Sequence, residues 1–499
     1  MLVKPNSICY DKLENYVKLT VYRMIVFLNE ALMSFRSCFS RKNAFNWFVI
    51  AIMGFIVRGD KLGITSIIRE LNLDPKFYIT FLQFFRSSAW RLEALIKQWI
   101  KLVTESVEIP KVNGMNILIA DGVKQSKEGR KMPGVKKLHQ ESENSGKPEY
   151  IFGHMFGVVG ILAGNMSKLF CIALSASVQD GVSKIREFAD PTTPSVSHVV
   201  QVITQAGEIV AQIGASIILL DRYFLSVPAL QKAMKFVDAG GNPLLEIVTK
   251  AKKSAVAYAM PPAYSGRGPR PKKGQSIKLK DLFVTKKASF LTANVFLYGN
   301  LQEVSYYSVE LLWGVKHYQK LRFVLVSYNG INSILVSTSL ELCPLKIIEL
   351  YGYRFKIEVG FKELKQTIGA FAYHFWSKSM PRLNRYVKEI NESALAAITN
   401  NCFRGNLVKT LKAIEGYVCM AMIAMGLLQI ISLKFSKELN SSSFRWLRTK
   451  TNDIMSEATV AYFFRKNIYR VIENHRNLCI MRIIIAAQND NPADNGVAA

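Results

Sequence analysis

The sequence predicts an α/β protein: a mixed-sheet core, interrupted by a strand-rich insertion and flanked on both sides by helical regions. Three observations carry this prediction. Apolar residues recur at helical spacing up to about residue 110, and from Asn116 they give way to short runs rich in Val, Ile and Phe. A basic stretch dense in Pro and Gly, residues 252–290, then separates two groups of strand-like segments. Helical periodicity returns after Cys343-Pro344 and persists almost to the end. The 499 residues are enough for two to four structural units. With 49% apolar and 20% charged residues, the composition excludes a disordered chain.

Residues 1–112 form the first helical region, through Ala44–Val57, Ile64–Leu73 and Phe77–Leu102, whose apolar stripe reads as core. Residues 113–251 are the first part of the core. Asn116–Ala120 is a short strand ending at Asp121-Gly122, followed by a basic loop and by strands Tyr150–Leu162 and Lys168–Gln179. Helical spacing runs through residues 184–213, the buried strand Ser216–Leu220 ends at Asp221, a short helix spans Val227–Val237, and Leu244–Lys250 is a strand. Residues 252–342 form the insertion. Its first part, residues 252–290, holds ten basic residues against the single acid Asp281 and is expected to be extended. Asn329-Gly330 then marks a hairpin between Leu321–Ser327 and Ile331–Ser337. Residues 343–380 complete the core with a helix that opens on Pro344 and can run to Gly369. Residues 381–487 are helical, and 488–499 form a polar tail.

There are 65 Lys and Arg against 37 Asp and Glu, a net charge of +28, which calls for a polyanionic partner or a membrane surface. The apolar runs Ala44–Val57 and Gly416–Leu428 are shorter than the roughly 20 residues of a spanning helix, so both read as core. Residues 1–20 hold no apolar run, so no secretory leader is expected. The seven cysteines form no Cys-x-x-Cys pair, which argues against a disulfide scaffold or structural zinc and for a reducing, cytoplasmic setting. The six histidines are scattered, with His154 and His374 expected to be structural. No Walker motif is present, so no nucleotide energy source is expected.

The chemistry-bearing residues are two acids after buried strands, Asp121 and Asp221, and a polar helical face. Tyr351, Arg354, Glu358 and Lys365 fall at i, i+3, i+7 and i+14, angular positions of about 0°, 300°, 340° and 320° on a helix. Ile347, Ile348, Phe355, Ile357, Phe361 and Leu364 cover its other sides, so the helix packs on apolar surface while its polar face points away. If that helix lies on the sheet, Asp121, Asp221 and Glu358 converge. Three carboxylates are hard oxygen ligands suited to Mg²⁺ or Mn²⁺, and two such ions can drive an in-line phosphodiester displacement. Arg354 and Lys365 would then hold phosphates beside the metal. Lys124 in the basic loop, and Lys250, Lys252 and Lys253 after the strand that follows Asp221, are the best further phosphate contacts. The histidines and cysteines offer no competing metal set.

The spacing Tyr351-x2-Arg354-x3-Glu358-x6-Lys365 resembles the Tyr–Arg–Glu–Lys signature of bacterial insertion-sequence DDE transposases of the cut-and-paste kind. Asp121, in Ile119-Ala120-Asp121-Gly122, looks like the first acid of their triad, Asp221, in Leu220-Asp221-Arg222-Tyr223, like the second, and Glu358 is the third. The resemblance spans about Asn113–Trp376; Phe355 departs from it, standing where members often carry Trp. It implies an RNase H-like core, two-ion Mg²⁺ (or Mn²⁺) cleavage at double-stranded transposon ends to free a 3′-hydroxyl, and strand transfer into target DNA. It further implies DNA binding by the helical residues 1–112, a homodimer on two DNA ends, a nucleoid-associated location in the bacterial cytoplasm, and contacts from Tyr351 and Arg354 to the terminal DNA. Trp313 in the insertion is a candidate to stack on an extruded base. A related metal-dependent nuclease and a non-catalytic DNA-binding protein on the same fold are the alternatives.

Overall fold

A computed structural model describes residues 7–60, 62–140, 146, 148–165, 168–264, 266, 269–384, 392–439 and 454–488. The N-terminal region contributes α1 (Ser7–Met33), α2 (Lys42–Val57) and α3 (Leu92–Ser106). The core strands are β1 (Met115–Ser126), β2 (Tyr150–Asn165), β3 (Lys168–Val178), β4 (Ser216–Leu219) and β5 (Leu245–Lys250), with helices α4 (His198–Ile213) and α5 (Val227–Ala233) on the connections to β4 and β5. The insertion adds β6 (Leu291–Leu297), β7 (Asn300–Trp313), β8 (Gln319–Tyr328) and β9 (Ile331–Ser337). The chain closes with α6 (Pro344–Gly352), α7 (Phe355–Glu363), α8 (Asn401–Lys434) and α9 (Glu457–Asn474).

The core strands stand in the order β3-β2-β1-β4-β5, with β1, β4 and β5 parallel and β2 antiparallel to both of its long neighbours. All four residues of β4 are buried, as a parallel strand covered on both faces requires. Helix α4, capped at its N-terminus by Ser197, packs on β1, β2 and β5 through an apolar stripe that includes Val202, Ile203 and Ile209.

Four expectations need correction. The first core strand does not stop at Asp121: β2 continues as its partner as far as Ser126↔Gly153, so β1 runs five residues beyond Asp121, into what the sequence suggests is loop. The helical stretch 184–213 is two helices, Ser183–Ala189 and α4, because Pro191 and Pro194 lie between them. The long helix after Pro344 breaks at Tyr353-Arg354. At Gly352 a Cβ would stand 2.9 Å from Leu297 Cδ2, and beyond α7 a π-turn, Leu364–Ile368, leads to the expected stop, Gly369, at φ +67°. The insertion's strands, finally, extend the core sheet. β9 pairs with β5 through Leu335↔Lys250 and Val336↔Thr249, giving one 13-stranded sheet. The described residues between Tyr258 and Ser276 carry no regular structure, but the short strands Val256–Tyr258 and Ser276–Lys278 bracket them and pair with each other, and short helical turns follow from Leu279 to Ser289.

The Asn329-Gly330 hairpin is as expected, with Tyr328↔Ile331 closing it and both turn residues at positive φ. Among the described residues α8 is the one helix long and apolar enough to cross a membrane, and its most apolar window is 94% buried inside the fold. Gly416 and Gly426 make that possible: a Cβ there would stand 2.4 Å from Trp90 Cη2 and 2.3 Å from Trp99 Cζ2. The apolar run read from the sequence is thus the middle of a much longer core helix. The residues beyond Gln488, the expected tail, lie outside the described residues.

Candidate active site

Parallel pairing of β1 with β4 ends at Ile119↔Leu219. Two residues further along each chain stand Asp121, inside β1, and Asp221, just past the end of β4, so the register sets the two acids side by side where the parallel pairing stops. Asp221 leaves β4 in extended conformation, and its carbonyl accepts a hydrogen bond from Thr249 Oγ1 of β5 at 2.9 Å. Asp121 Oδ1 accepts the Gly122 N–H at 2.7 Å.

The break between α6 and α7 aims Arg354 at these acids. Its Nη1 donates to Asp121 Oδ2 at 3.2 Å and its Nη2 pairs with Glu358, one helical turn on. Tyr351 lies beside the same guanidinium, whose charge works against the burial that raises the hydroxyl's pKa. Burial pushes the Asp121 carboxyl up to about 6 despite Arg354 and the Gly122 N–H, and the neighbouring charges of Asp221 and Glu358 push the same way. Burial works against the charge on Arg354, but Asp121, Tyr351, Glu358 and Asp221 outweigh it and raise its pKa. Burial also pushes Tyr351 up to about 12. The three predicted acids and both predicted α6–α7 partners therefore share one electrostatic cluster, centred on a guanidinium.

That centre differs from an open oxygen cage. Among the described residues no three His, Cys, Asp or Glu side chains come together closely enough to hold a metal ion as they stand. The donor set is right for a hard cation, three carboxylates without nitrogen or sulfur. Arg354, however, bridges two of them.

Around the cluster a cleft of about 380 Å³ is lined by Asp221, Arg222, Lys250, Tyr298, Tyr351 and Arg354. Lys250 is half-buried; burial lowers its pKa while Asp221 raises it. Lys252 and Lys253 are exposed in the turn after β5. Lys365 Nζ donates to the Lys124 carbonyl at 3.3 Å, tying the π-turn to β1, and Lys124 Nζ donates to the His139 carbonyl at 2.6 Å. Trp313 ends β7 half-buried, in a second cleft of about 480 Å³ shared with Arg222, Lys252 and Tyr258.

Sequence reasoning missed Tyr298 and Arg222. Tyr298 occupies the β6–β7 turn at φ +52°, its ring 5.6 Å from that of Phe355, the residue departing from the family pattern. Its signal is the Tyr298-Gly299 turn between two strands. Arg222 follows Asp221 and lines both clefts. His154 is structural, as expected: fully buried, it bonds the Tyr373 hydroxyl and the Pro133 carbonyl, both at 2.7 Å. No family model, no curated protein and no solved structure matches the chain.

Proposed function

We propose that the chain is a DDE transposase on an RNase H-like core, cutting DNA at transposon ends and joining the freed 3′-hydroxyl to target DNA. The observation that carries this reading is the cluster of Asp121, Asp221 and Glu358 around Arg354, where the parallel pairing of two adjacent strands stops. The strand order β3-β2-β1-β4-β5, with β2 antiparallel, supports the fold assignment. The net charge of +28 supports a DNA partner, and a bacterial cytoplasmic, nucleoid-associated location accords with it.

On this reading Asp121, Asp221 and Glu358 would hold Mg²⁺ or Mn²⁺, two ions by the expectation above, whose chemistry there would be to activate a water and to neutralise a leaving oxygen. The chain's own residues do the rest. Arg354 exchanges its carboxylate partners for a DNA phosphate, which opens the oxygen cluster and fixes the backbone next to it. Lys250, Lys252, Lys253, Lys124 and Lys365 track neighbouring phosphates, and Tyr351 keeps its proton and donates to the terminal strand. Trp313 offers a ring to a displaced base, and two copies act on the two ends.

The test is Glu358→Gln with duplexes taken from the DNA flanking the reading frame on both sides, searched first for inverted repeats. DNA binding should persist while Mg²⁺-dependent end cleavage disappears; cleavage retained by this variant overturns the assignment. The closed Arg354 bridge favours one second reading, a non-catalytic DNA-binding protein, which would show no metal-dependent cleavage in the unaltered chain either.

A further inference from the structure

Beyond the carboxylate cluster, β1 leads directly into a second site. At its end, Lys127, Arg130, Lys131, His374, Trp376 and Arg382 line a hollow of about 730 Å³. Four of its lining residues are basic, against the single acid Glu128. Trp376 is 53% exposed, although its neighbours in sequence, Phe375 and Ser377, are buried. The segment alternates strictly: Tyr373, Phe375 and Ser377 point in, whereas His374, Trp376 and Lys378 point out.

The ring is held outward by a fixed backbone. Arg86 Nη2 donates to the Trp376 carbonyl at 3.1 Å, and its guanidinium lies 5.9 Å from the Phe375 ring. The Ser377 N–H donates to the Lys131 carbonyl at 3.0 Å and the Leu383 N–H to the Arg130 carbonyl at 2.8 Å, so the tryptophan segment and the basic loop are bound to each other. Lys127 Nζ donates to the Phe371 and Tyr373 carbonyls, pinning the start of that loop. A rigid exposed indole among guanidinium and ammonium groups suits a planar, apolar ring attached to phosphate. A base within an intact duplex offers no free face to it, whereas an unpaired base does.

We propose that Trp376, with Arg130, Lys131 and Arg382, is a binding site for an unpaired DNA strand, on which one base stacks while the cations hold its phosphates. The inference rests on the DNA reading above and deepens it. Lys127 lies six residues beyond Asp121, roughly 20 Å along the strand direction, a distance that a few nucleotides of extended single strand span. A strand separated near the carboxylates could therefore be received here.

The test uses the full chain, fluorescence anisotropy, and labelled oligothymidylate and oligouridylate beside a blunt duplex. Trp376→Ala should weaken oligothymidylate binding about tenfold and leave duplex binding within about twofold, while Trp376→Phe keeps most of the affinity. Since the indole is largely exposed, the substitution should not unfold the protein, and thermal melting controls for that. Unchanged oligothymidylate affinity in Trp376→Ala overturns the site, as does an equal loss on duplex. A marked preference for oligouridylate overturns it in favour of RNA. Failure of the transposase reading looks different: no cleavage by the unaltered chain, with Trp376-dependent strand binding intact.

Discussion

If the proposed reading holds, Arg354 occupies the place a metal ion would take between the acids, so replacing it should change metal affinity in the absence of DNA. Its side chain is only 17% exposed, with Nη1 3.2 Å from Asp121 Oδ2 and Nη2 on Glu358. A hydrogen bond to a charged group contributes about 1.5–3 kcal/mol. The Glu358 partner is 55% exposed and adds little, because solvent screens it. An incoming divalent ion must therefore displace a contact of about 1.5–3 kcal/mol, which weakens its binding roughly 10- to 100-fold. Arg354→Gln removes the competitor, keeps the volume similar and leaves the acids to repel one another. Metal-free Arg354→Gln should melt below the unaltered protein, and Mn²⁺ should recover the difference by mass action. Titrating Mn²⁺ while following the free aquo ion by electron paramagnetic resonance should show at least about tenfold tighter binding by the variant. Adding Asp121→Asn to it should abolish the gain. Equal Mn²⁺ affinity with and without Arg354 would refute the argument that the guanidinium holds the metal position.

Two predictions concern the scaffold. Burial drives the His154 pKa down to about 3, so the folded protein keeps this imidazole neutral while the unfolded chain protonates it near 6.5. The stability it contributes is complete above pH 6.5 and is lost as pH falls toward 3; by pH 5 urea denaturation should register about 2 kcal/mol less from this group, a slope that His154→Gln removes. In α8, Gly426→Ala forces a methyl group to 2.3 Å from Trp99 Cζ2. Overpacking of this kind costs about 1–3 kcal/mol, and a melting temperature equal to that of the unaltered chain would show that the helix can shift to admit it.

What the sequence makes legible is what neighbouring residues decide between themselves. Asn329-Gly330 dictates its own turn, Pro344 opens α6, Gly369 ends the π-turn at positive φ, and Ser216–Leu219 has no polar residue longer than Ser216 to place on either face. The Arg354–Glu358 pair is equally local, since residues at i and i+4 share a helix face. The Arg354–Asp121 contact is not, because it joins positions 233 apart and depends on where α6 breaks. Nothing near Asp121 reveals that β1 continues, because its continuation is stabilised by β2 some thirty residues away. The joining of insertion and core likewise depends on Lys250 meeting Leu335. Trp376 was legible in principle, through the alternation from Tyr373 to Lys378, but a single exposed ring has no meaning until the basic loop is seen beside it.

The cost of the carboxylate cluster argues for its use. Asp121 is held charged against burial and against two nearby acids, with one guanidinium as compensation, in a protein with 28 more cations than anions. Asn at position 121 would keep the Gly122 contact and carry no charge to desolvate, but would leave the largely buried Arg354 without its Asp121 partner. Arg354 offsets the burial of this acid only in part, and on the proposed reading a stronger cation would complete the compensation, leaving Arg354 to engage a phosphate. Metal and DNA would then bind cooperatively through the same side chain, each removing a cost that opposes the other. In Arg354→Gln that coupling should collapse, so that DNA no longer tightens Mn²⁺ binding. Undiminished coupling would place it elsewhere in the fold.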